Sequence, residues 1–242
     1  MVMKEVLNEH RQPHISSGKF SISSVGSCWR KKYMEMKGLY KAKFDTKTLR
    51  VFAIGDAFHQ LVVGEFLTKG DNSGVRVVAA ETEIPEHPYI SGRTDLIVSH
   101  NKFKTELGFN ELFVIDTKSA GTWMFNKVVE GDYSEIQHYI YQVQLYLHFF
   151  HIKRGFLVFI SKEKALVEEV EVVYDQALCE RLIADIENFM INFVEKDILP
   201  PPCDGGHFGC EVCNNKGDFN NGKKQTTENT EEEIVVLTQA VQ

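Results

Sequence analysis

Residues 91–118 most constrain the fold, because two strand-like apolar runs in this stretch each carry an aspartate. Asp95 begins the run TDLIV, and Asp116 and Lys118 end the run LFVIDTK. Side chains two residues apart in a strand lie on the same face, so Asp116 and Lys118 are expected side by side. Carboxylates and a lysine held by buried strands are costly unless they are paired, and a divalent cation would remove that cost. The stretch therefore predicts a metal-dependent site.

The segments around this stretch predict a mixed α/β fold. Three β-type segments follow one another as an antiparallel meander, with prolines marking the first connection. A largely apolar helix, two further strands and a last helix follow. A serine-capped helix start is predicted within 21–38, with Ser23 or Ser24 as the candidate N-cap. The further predicted elements are, in chain order, a helix at 49–70, strands at 75–84, 89–99 and 111–119, a helix at 134–152, strands at 154–161 and 166–174, and a helix at 176–197. This order predicts a mixed central β-sheet flanked by helices.

Length and composition fit one large domain with less regular ends. The chain has 242 residues, of which 43% are hydrophobic, which is enough for a sizeable core. Residues 1–20 are expected to be flexible, residues 21–213 to form the domain, and residues 214–242 to form a mostly disordered tail. The N-terminal stretch lacks the apolar run of a signal peptide, and no run has the length of a membrane span. A cytoplasmic protein without membrane contact is therefore expected.

The charge distribution allows a phosphate-binding surface. A net charge of −7 argues against a polyanionic partner, but eight lysines and arginines face only two acidic residues between Arg30 and Arg50. Arg30, Lys31 and Lys32 begin this stretch, which fits a DNA-binding patch. A solvated surface with scattered lysines explains the charges equally well. Aromatic residues that offer stacking surfaces for bases are Trp29, Tyr33, Trp123 and Phe125.

Four polar features would have to converge on one site. They are His59 on the first long helix, Asp95, the Asp116–Lys118 pair, and Gln142 with Tyr146 on the apolar helix. Each has a structural alternative. A lone helical histidine is more often structural than a ligand, and Asp95 could cap a turn. Lys118 could extend into water, and glutamines on a buried helix can hydrogen-bond a sheet edge.

The motifs that carry these residues resemble those of the RecB-like branch of the PD-(D/E)XK nuclease superfamily. They stand as GDAFH at 55–59, GRTD at 92–95, DTK at 116–118 and QVQLY at 142–146. The resemblance implies that His59, Asp95, Asp116 and the carbonyl of Thr117 hold Mg²⁺ or Mn²⁺. It also implies that Lys118 positions or activates the attacking water, and that Gln142 and Tyr146 contact DNA and brace the site. Thr94 replaces the proline of the family name, and Gln137 with Tyr141 also fits the last motif.

Four of the five cysteines form a candidate metal site. Cys28 precedes the predicted core, and Cys203, Cys210 and Cys213 follow it as C-x6-C-x2-C. Four thiolates complete a site for a four-iron, four-sulfur cluster or for a structural Zn²⁺. The layout resembles that of the CRISPR-associated Cas-four-type iron–sulfur exonucleases, in which the cluster joins the N- and C-terminal segments. The spacing departs from their usual pattern, and His207 keeps a Cys/His zinc site open.

The resemblance implies a metal-dependent DNA exonuclease that prefers single-stranded ends and acts in DNA repair, recombination or CRISPR spacer acquisition. Its partners would be single-stranded DNA and other CRISPR or recombination proteins. The alternatives are a non-catalytic DNA-binding subunit of a recombination or CRISPR-adaptation complex, and a nuclease that contains zinc.

Overall fold

A five-stranded β-sheet lies at the centre of the protein. A computed structural model describes residues 18–41, 45–203 and 210–214. The sheet has the order β2-β4-β5-β6-β7. Its strands are β2 (Val75–Glu83), β4 (Arg93–Lys104), β5 (Asn110–Ala120), β6 (Arg154–Ser161) and β7 (Val167–Val173). A separate parallel pair joins β1 (Phe20–Ser21) to β3 (Ile90–Ser91).

The sheet is mixed, as the sequence predicts. The pairs β2–β4, β4–β5 and β6–β7 are antiparallel, whereas β5 and β6 are parallel. Parallel neighbours need a crossover connection, and two helices fill the chain between β5 and β6. The predicted meander and the predicted α/β class are therefore confirmed.

Six α-helices surround the sheet in the described part of the chain. They are α1 (Trp29–Met36), α2 (Thr46–Lys69), α3 (Thr122–Val129), α4 (Gln137–Phe150), α5 (Gln176–Phe189) and the short α6 (Glu211–Asn214). A π-helical turn, Met190–Val194, continues α5. The predicted flexible ends lie largely, and His207 entirely, outside the described residues.

Helix α4 is the central helix because its apolar side chains meet the sheet closely. Val143, Leu145 and Leu147 are all fully buried. Gly155 in β6 allows this approach: a Cβ there would lie 2.9 Å from the carbonyl oxygen of Val114 and 3.0 Å from Cγ1 of Val143. Any larger residue at position 155 would therefore push the helix away from the sheet.

The other face of the sheet is covered by α2. Leu96, Val98, Phe113, Ile115 and Val158 form a small buried cluster on this face. Val63 and Phe66 of α2 pack against it. No residue of α2 that the structure describes is fully buried, so this helix is a partly exposed cover rather than a core element.

The two ends of the described chain pack together. Arg30 of α1 donates from Nε to the carbonyl oxygen of Pro200, and Tyr33 donates to Asp197. Cys28 occupies the N-cap of α1. In the described ranges, no helix combines the length and apolarity that a bilayer crossing requires.

Replacing Leu145 with alanine tests whether α4 anchors the core. Leu145 is fully buried, so we expect Leu145→Ala to lower the free energy of unfolding by about 2–5 kcal/mol. Leu107, which is 83% exposed, supplies the matched control, and Leu107→Ala is expected to stay within about 0.5 kcal/mol. Urea denaturation measures both values. Equal effects of the two substitutions would contradict the assignment of α4 to the core.

Candidate active site

The buried Asp116 and the partly buried Lys118 form an ion pair on the face of β5 that meets α4. Val114 is fully buried on the same face, which fixes the alternation that places both polar side chains there. Lys118 Nζ lies 2.7 Å from Asp116 Oδ2, and Asp116 is only 1% exposed. The expected juxtaposition of the two side chains is therefore present.

Gln142 links this ion pair to Tyr146. Its Nε2 donates to Asp116 Oδ1 at 3.2 Å, and its Oε1 accepts from Lys118 Nζ at 3.2 Å. The same Nε2 lies 3.2 Å from the hydroxyl of Tyr146, which donates to the carbonyl oxygen of Arg93 at 2.8 Å. In the alternative pair, Gln137 with Tyr141, Gln137 is exposed and its side-chain amide donates to the carbonyl oxygen of Tyr133. The geometry thus brings Gln142 and Tyr146, rather than Gln137, to the aspartate.

Asp95 is bound to the backbone of the neighbouring strand. Its Oδ2 accepts a hydrogen bond of 2.7 Å from the amide of Thr117. The paired register of β4 and β5 ends at Leu96 and Ile115. The Asp95 carboxylate therefore takes a backbone amide just beyond this pairing, which fixes it beside the DTK segment.

His59 reaches this site from α2. Its Nδ1 lies 3.1 Å from Asp95 Oδ2, and its Nε2 lies 2.6 Å from Glu81 Oε1. The hydrogen bond to Asp95 raises the pKa of His59 to about 9, in spite of its partial burial. Gly55 lies one turn earlier, where a Cβ would stand 3.2 Å from Oγ of Ser119, so this residue allows α2 to approach β5.

Glu81 is the site residue that the sequence analysis missed. It lies in β2, and its carboxylate contacts both His59 and Arg93. Ligand atoms of His59, Glu81 and Asp95 all lie within 4.8 Å of one another. Two glutamates, at 81 and 83, stand in a strand of otherwise ordinary composition, and the sequence holds no signal that separates them.

The pKa values of Asp116 and Lys118, the inner pair of the site, follow from their burial and from their contact with each other. Burial raises the pKa of Asp116 to about 6, although the ammonium of Lys118 acts in the opposite direction. Burial lowers the pKa of Lys118, but the Asp116 carboxylate outweighs it, and the net shift is upward. At neutral pH the proton therefore stays on the lysine, and Asp116 is a carboxylate. A buried carboxylate of raised pKa gains stability from any further positive charge beside it.

The donor set fits a hard divalent cation. Asp95, Asp116 and the Thr117 carbonyl offer oxygen, and His59 offers nitrogen, which suits magnesium or manganese. Asp116 Oδ2 contacts Lys118 and accepts no other hydrogen bond from the described residues. This oxygen therefore has lone-pair capacity beyond its contact with Lys118, whereas the ligand atoms that lie within 4.8 Å of one another are those of His59, Glu81 and Asp95.

The expected DNA-binding residues differ in accessibility. Arg30 is only 9% exposed and is bound to Pro200, which fits a structural contact better than a phosphate contact. Lys31 and Lys32 are partly exposed, and Lys32 donates to Ser24. A DNA contact of these three residues stays a prediction.

The stacking prediction is wrong for two of the four aromatic residues. Tyr33 and Phe125 are 4% and 3% exposed and belong to the core, because helical periodicity turns them inward. Trp29 is partly buried against Phe20 and Phe189. Trp123 is 61% exposed, with the ammonium of Lys127 4.8 Å from its ring centre. Trp123 is thus the most accessible of the four rings.

The four candidate cysteines come together at the packed chain ends. Their sulfur atoms all lie within 4.8 Å of one another, and Cys28 Sγ lies 3.5 Å from Cys213 Sγ. Cys179 lies elsewhere, fully buried, with its thiol directed to the carbonyl of Gln144. Four thiols this close together could hold one metal ion or cluster.

Replacing Lys118 with methionine tests the coupling within the inner pair. In EDTA-containing buffer we expect the pKa of Asp116 to rise above about 6 in Lys118→Met, because its nearest positive charge is lost. A folded acid with a raised pKa binds more protons than it does in the unfolded chain, so stability falls as pH rises from about 4 through the folded pKa. Carboxyl carbon NMR measures the pKa, and urea denaturation at several pH values measures the steeper loss of stability.

Lys127→Met is the control, because it removes a partly exposed lysine that is paired with Asp132 instead of Asp116. It is expected to leave the Asp116 titration unchanged. An unchanged Asp116 pKa in Lys118→Met would show that the two side chains are not coupled.

Comparisons with known proteins reveal likeness at the level of structure. No protein-family model and no curated protein sequence matches the chain. An alkaline exonuclease from Laribacter hongkongensis superposes with a TM-score of 0.53 at 15% identity, covering 74% of this chain and 89% of that chain. The same enzyme in complex with dAMP gives a TM-score of 0.54. A phage-related exonuclease from Haemophilus somnus 129PT gives a TM-score of 0.52 at 14% identity, with 81% and 98% covered. The chain shares the fold of these solved exonucleases.

Proposed function

We propose that the protein is a metal-dependent DNA exonuclease of the PD-(D/E)XK type that hydrolyses phosphodiester bonds at single-stranded ends. The observation that carries the proposal is the buried Asp116–Lys118 pair next to Asp95 and His59. This combination sits on a fold that solved exonucleases share. The preference for DNA ends and for single strands rests on the sequence resemblance.

Magnesium or manganese would be held by His59, Asp95, Asp116 and the Thr117 carbonyl. Such an ion supplies positive charge to the phosphate oxygens and makes water more acidic. The remaining chemistry belongs to side chains that the protein positions itself.

Lys118 stabilises negative charge rather than removing a proton. Its pKa is raised, after the opposing effect of burial, by the Asp116 carboxylate, so it is an ammonium at neutral pH. Its Nζ is held by Asp116 and Gln142, and it lies 4.8 Å from the ring centre of Tyr139. A fixed cation in a buried site orients water and stabilises charge that develops on phosphate.

Gln142 and Tyr146 position the site. Burial raises the pKa of Tyr146, so its hydroxyl stays protonated and donates to the carbonyl of Arg93. That bond ties α4 to the first residue of β4, two positions before Asp95. Because Tyr146 is 2% exposed, bracing is the role that its surroundings support, rather than direct contact with DNA.

An open cleft beside the site can admit a nucleic acid strand. Its cavity of about 710 Å³ is bordered by His59, Glu81, Arg93 and Asp95, with Val63 and Leu67 of α2 on the apolar side. Arg93, with 62% of its side chain exposed, supplies positive charge at the rim. Lys31, Lys32 and Trp123 are the further candidates for phosphate contacts and base stacking.

The proposed biological role rests on the sequence resemblance. We propose a role in DNA repair, recombination or CRISPR spacer acquisition, with single-stranded DNA as substrate and other proteins of those systems as partners. The Laribacter exonuclease was solved in complex with dAMP, and we propose that the cleft of this protein also takes a nucleotide. A non-catalytic DNA-binding subunit is the second candidate, and the retention of Asp95, Asp116 and Lys118 in one site argues against it.

Replacing Asp116 with asparagine tests the nuclease. Loss of a carboxylate that both pairs with Lys118 and holds the metal is expected to reduce Mn²⁺-dependent cleavage of end-labelled single-stranded DNA by about 100-fold or more. Asp71→Asn, in the turn before β2, is the matched control and is expected to cleave normally. Cleavage by Asp116→Asn at the wild-type rate would overturn the site. DNA binding by the wild type without any metal-dependent cleavage would favour the non-catalytic subunit.

The four cysteines hold a metal centre that joins the chain ends. The sequence resemblance favours a four-iron, four-sulfur cluster. The short sulfur separations favour the zinc alternative: four thiolates on one tetrahedral Zn²⁺ lie about 3.8 Å apart, given Zn–S bonds of about 2.3 Å. Thiolates of a four-iron cluster bind four different iron atoms and therefore lie farther apart.

Replacing Cys213 with serine tests this centre. We expect Cys213→Ser to lose bound metal and to melt at a lower temperature, because metal binding here contributes folding energy. Cys179→Ser, at the thiol outside the cluster, is expected to retain the metal. Metal analysis and the visible spectrum of anaerobically purified protein measure the outcome. Broad visible absorption indicates iron–sulfur, one colourless zinc ion per chain indicates zinc, and unchanged metal content in Cys213→Ser would contradict the site.

A further inference from the structure

We infer that Glu81 is an additional ligand, which holds a divalent cation together with His59 and Asp95 at the mouth of the cleft. The inference deepens the proposed function, because it adds a third carboxylate to the metal site on which that function rests. Glu81 belongs to none of the motifs that relate the chain to nucleases, so the assignment comes from its geometry alone.

The three side chains form a compact donor set that solvent can reach. Their ligand atoms lie within 4.8 Å of one another. The exposed fractions of the side chains are 25% for His59, 39% for Glu81 and 17% for Asp95. Two carboxylates and an imidazole with this access suit manganese or magnesium arriving from the cleft.

The backbone of Glu81 has an unusual conformation for a residue within a strand. Its φ is 49°, in the left-handed region that favours glycine. The other described non-glycine residues with positive φ lie at the end of a helix, in a loop or in a turn: His151, Ala165 and Asp197. Strain of this kind inside a strand persists only where the surroundings impose it, and it concentrates at functional sites.

This conformation aims the carboxylate at the metal-binding residues. Ala80 pairs with Leu96 and Thr82 pairs with Thr94, so Glu81 faces Asp95 across the two strands. Glu81 Oε1 lies 2.6 Å from His59 Nε2. An ion pair with Arg93 alone is a weaker explanation for the conformation of Glu81. That pair is exposed, and exposed ion pairs contribute little to stability.

Arg93 orients Glu81 for this role. Its Nε lies 2.7 Å from Oε2 of Glu81, which leaves Oε1 directed at His59. Ligating carboxylates are commonly held by such an outer hydrogen bond. The backbone of Arg93 is in turn fixed by the hydroxyl of Tyr146. The carboxylate of Glu81 is thereby connected, through Arg93 and Tyr146, to α4, the helix that also braces Asp116.

Binding of Mn²⁺ alone, followed by titration calorimetry and by the EPR signal of free Mn²⁺, tests the inference without any substrate. Removing one ligand is expected to raise the Kd of Glu81→Gln for Mn²⁺ by about tenfold or more. Glu83→Gln changes the same charge in the same strand and is expected to stay within about twofold. Unchanged affinity in Glu81→Gln would overturn the inference.

Glu81→Gly separates ligation from stability. Glycine relieves the left-handed conformation, so this variant is expected to melt at or above the wild-type temperature while it loses Mn²⁺ affinity. A folded Glu81→Gly variant with wild-type affinity would show that Glu81 is not a ligand. Asp95→Asn distinguishes the two proposals: if it loses Mn²⁺ while Glu81→Gln does not, only the role of Glu81 fails. If neither loses Mn²⁺, the proposed metal site fails as well.

Discussion

The ion pair between Asp116 and Lys118 is the interaction on which the rest of the site depends. Taking two charges out of water is costly, and their attraction compensates only when the geometry is good and the remaining hydrogen-bonding positions are filled. Gln142 fills one on each partner, because its amide group donates to the carboxylate and accepts from the ammonium. Helix α4, which carries Gln142, must therefore lie at a fixed distance from the sheet, and Gly155 allows this close approach.

Much of the fold was predictable from local patterns, because burial on both faces of a central strand produces long apolar runs. The runs around Val114 and Leu157 identified β5 and β6, and the dense apolar surface of α4 identified the helix between them. The predicted N-cap of the first helix, Ser23 or Ser24, was wrong, because α1 begins at Trp29 and Cys28 occupies its N-cap without a side-chain hydrogen bond. Phe125 was expected to be accessible, although the periodicity of α3 places it with Val128 on the buried face of the helix.

The site was predictable where its residues follow strand alternation and unpredictable where backbone geometry intervenes. Asp116 and Lys118 are two residues apart, so the pleat alone brings them together. Glu81 meets His59 from a backbone position with a φ of 49°, and the sequence has no glycine there that would indicate this conformation. Arg30 looked like part of a basic surface, but its guanidinium folds back onto the segment before Cys203. Charge counting along the chain does not reveal which of several neighbouring cations turns inward.

The four cysteines of the candidate metal site are far apart in the chain and come together only late in its synthesis. The first and last of them, Cys28 and Cys213, are 185 positions apart and enclose all five strands of the central sheet. During synthesis this set of four thiols stays incomplete until Cys213 has left the ribosome, after all five strands of the sheet. Closure of so long a loop becomes inexpensive once the folded core already holds both ends near each other. A metal bound by these four cysteines would therefore join two segments that the folded core already holds together.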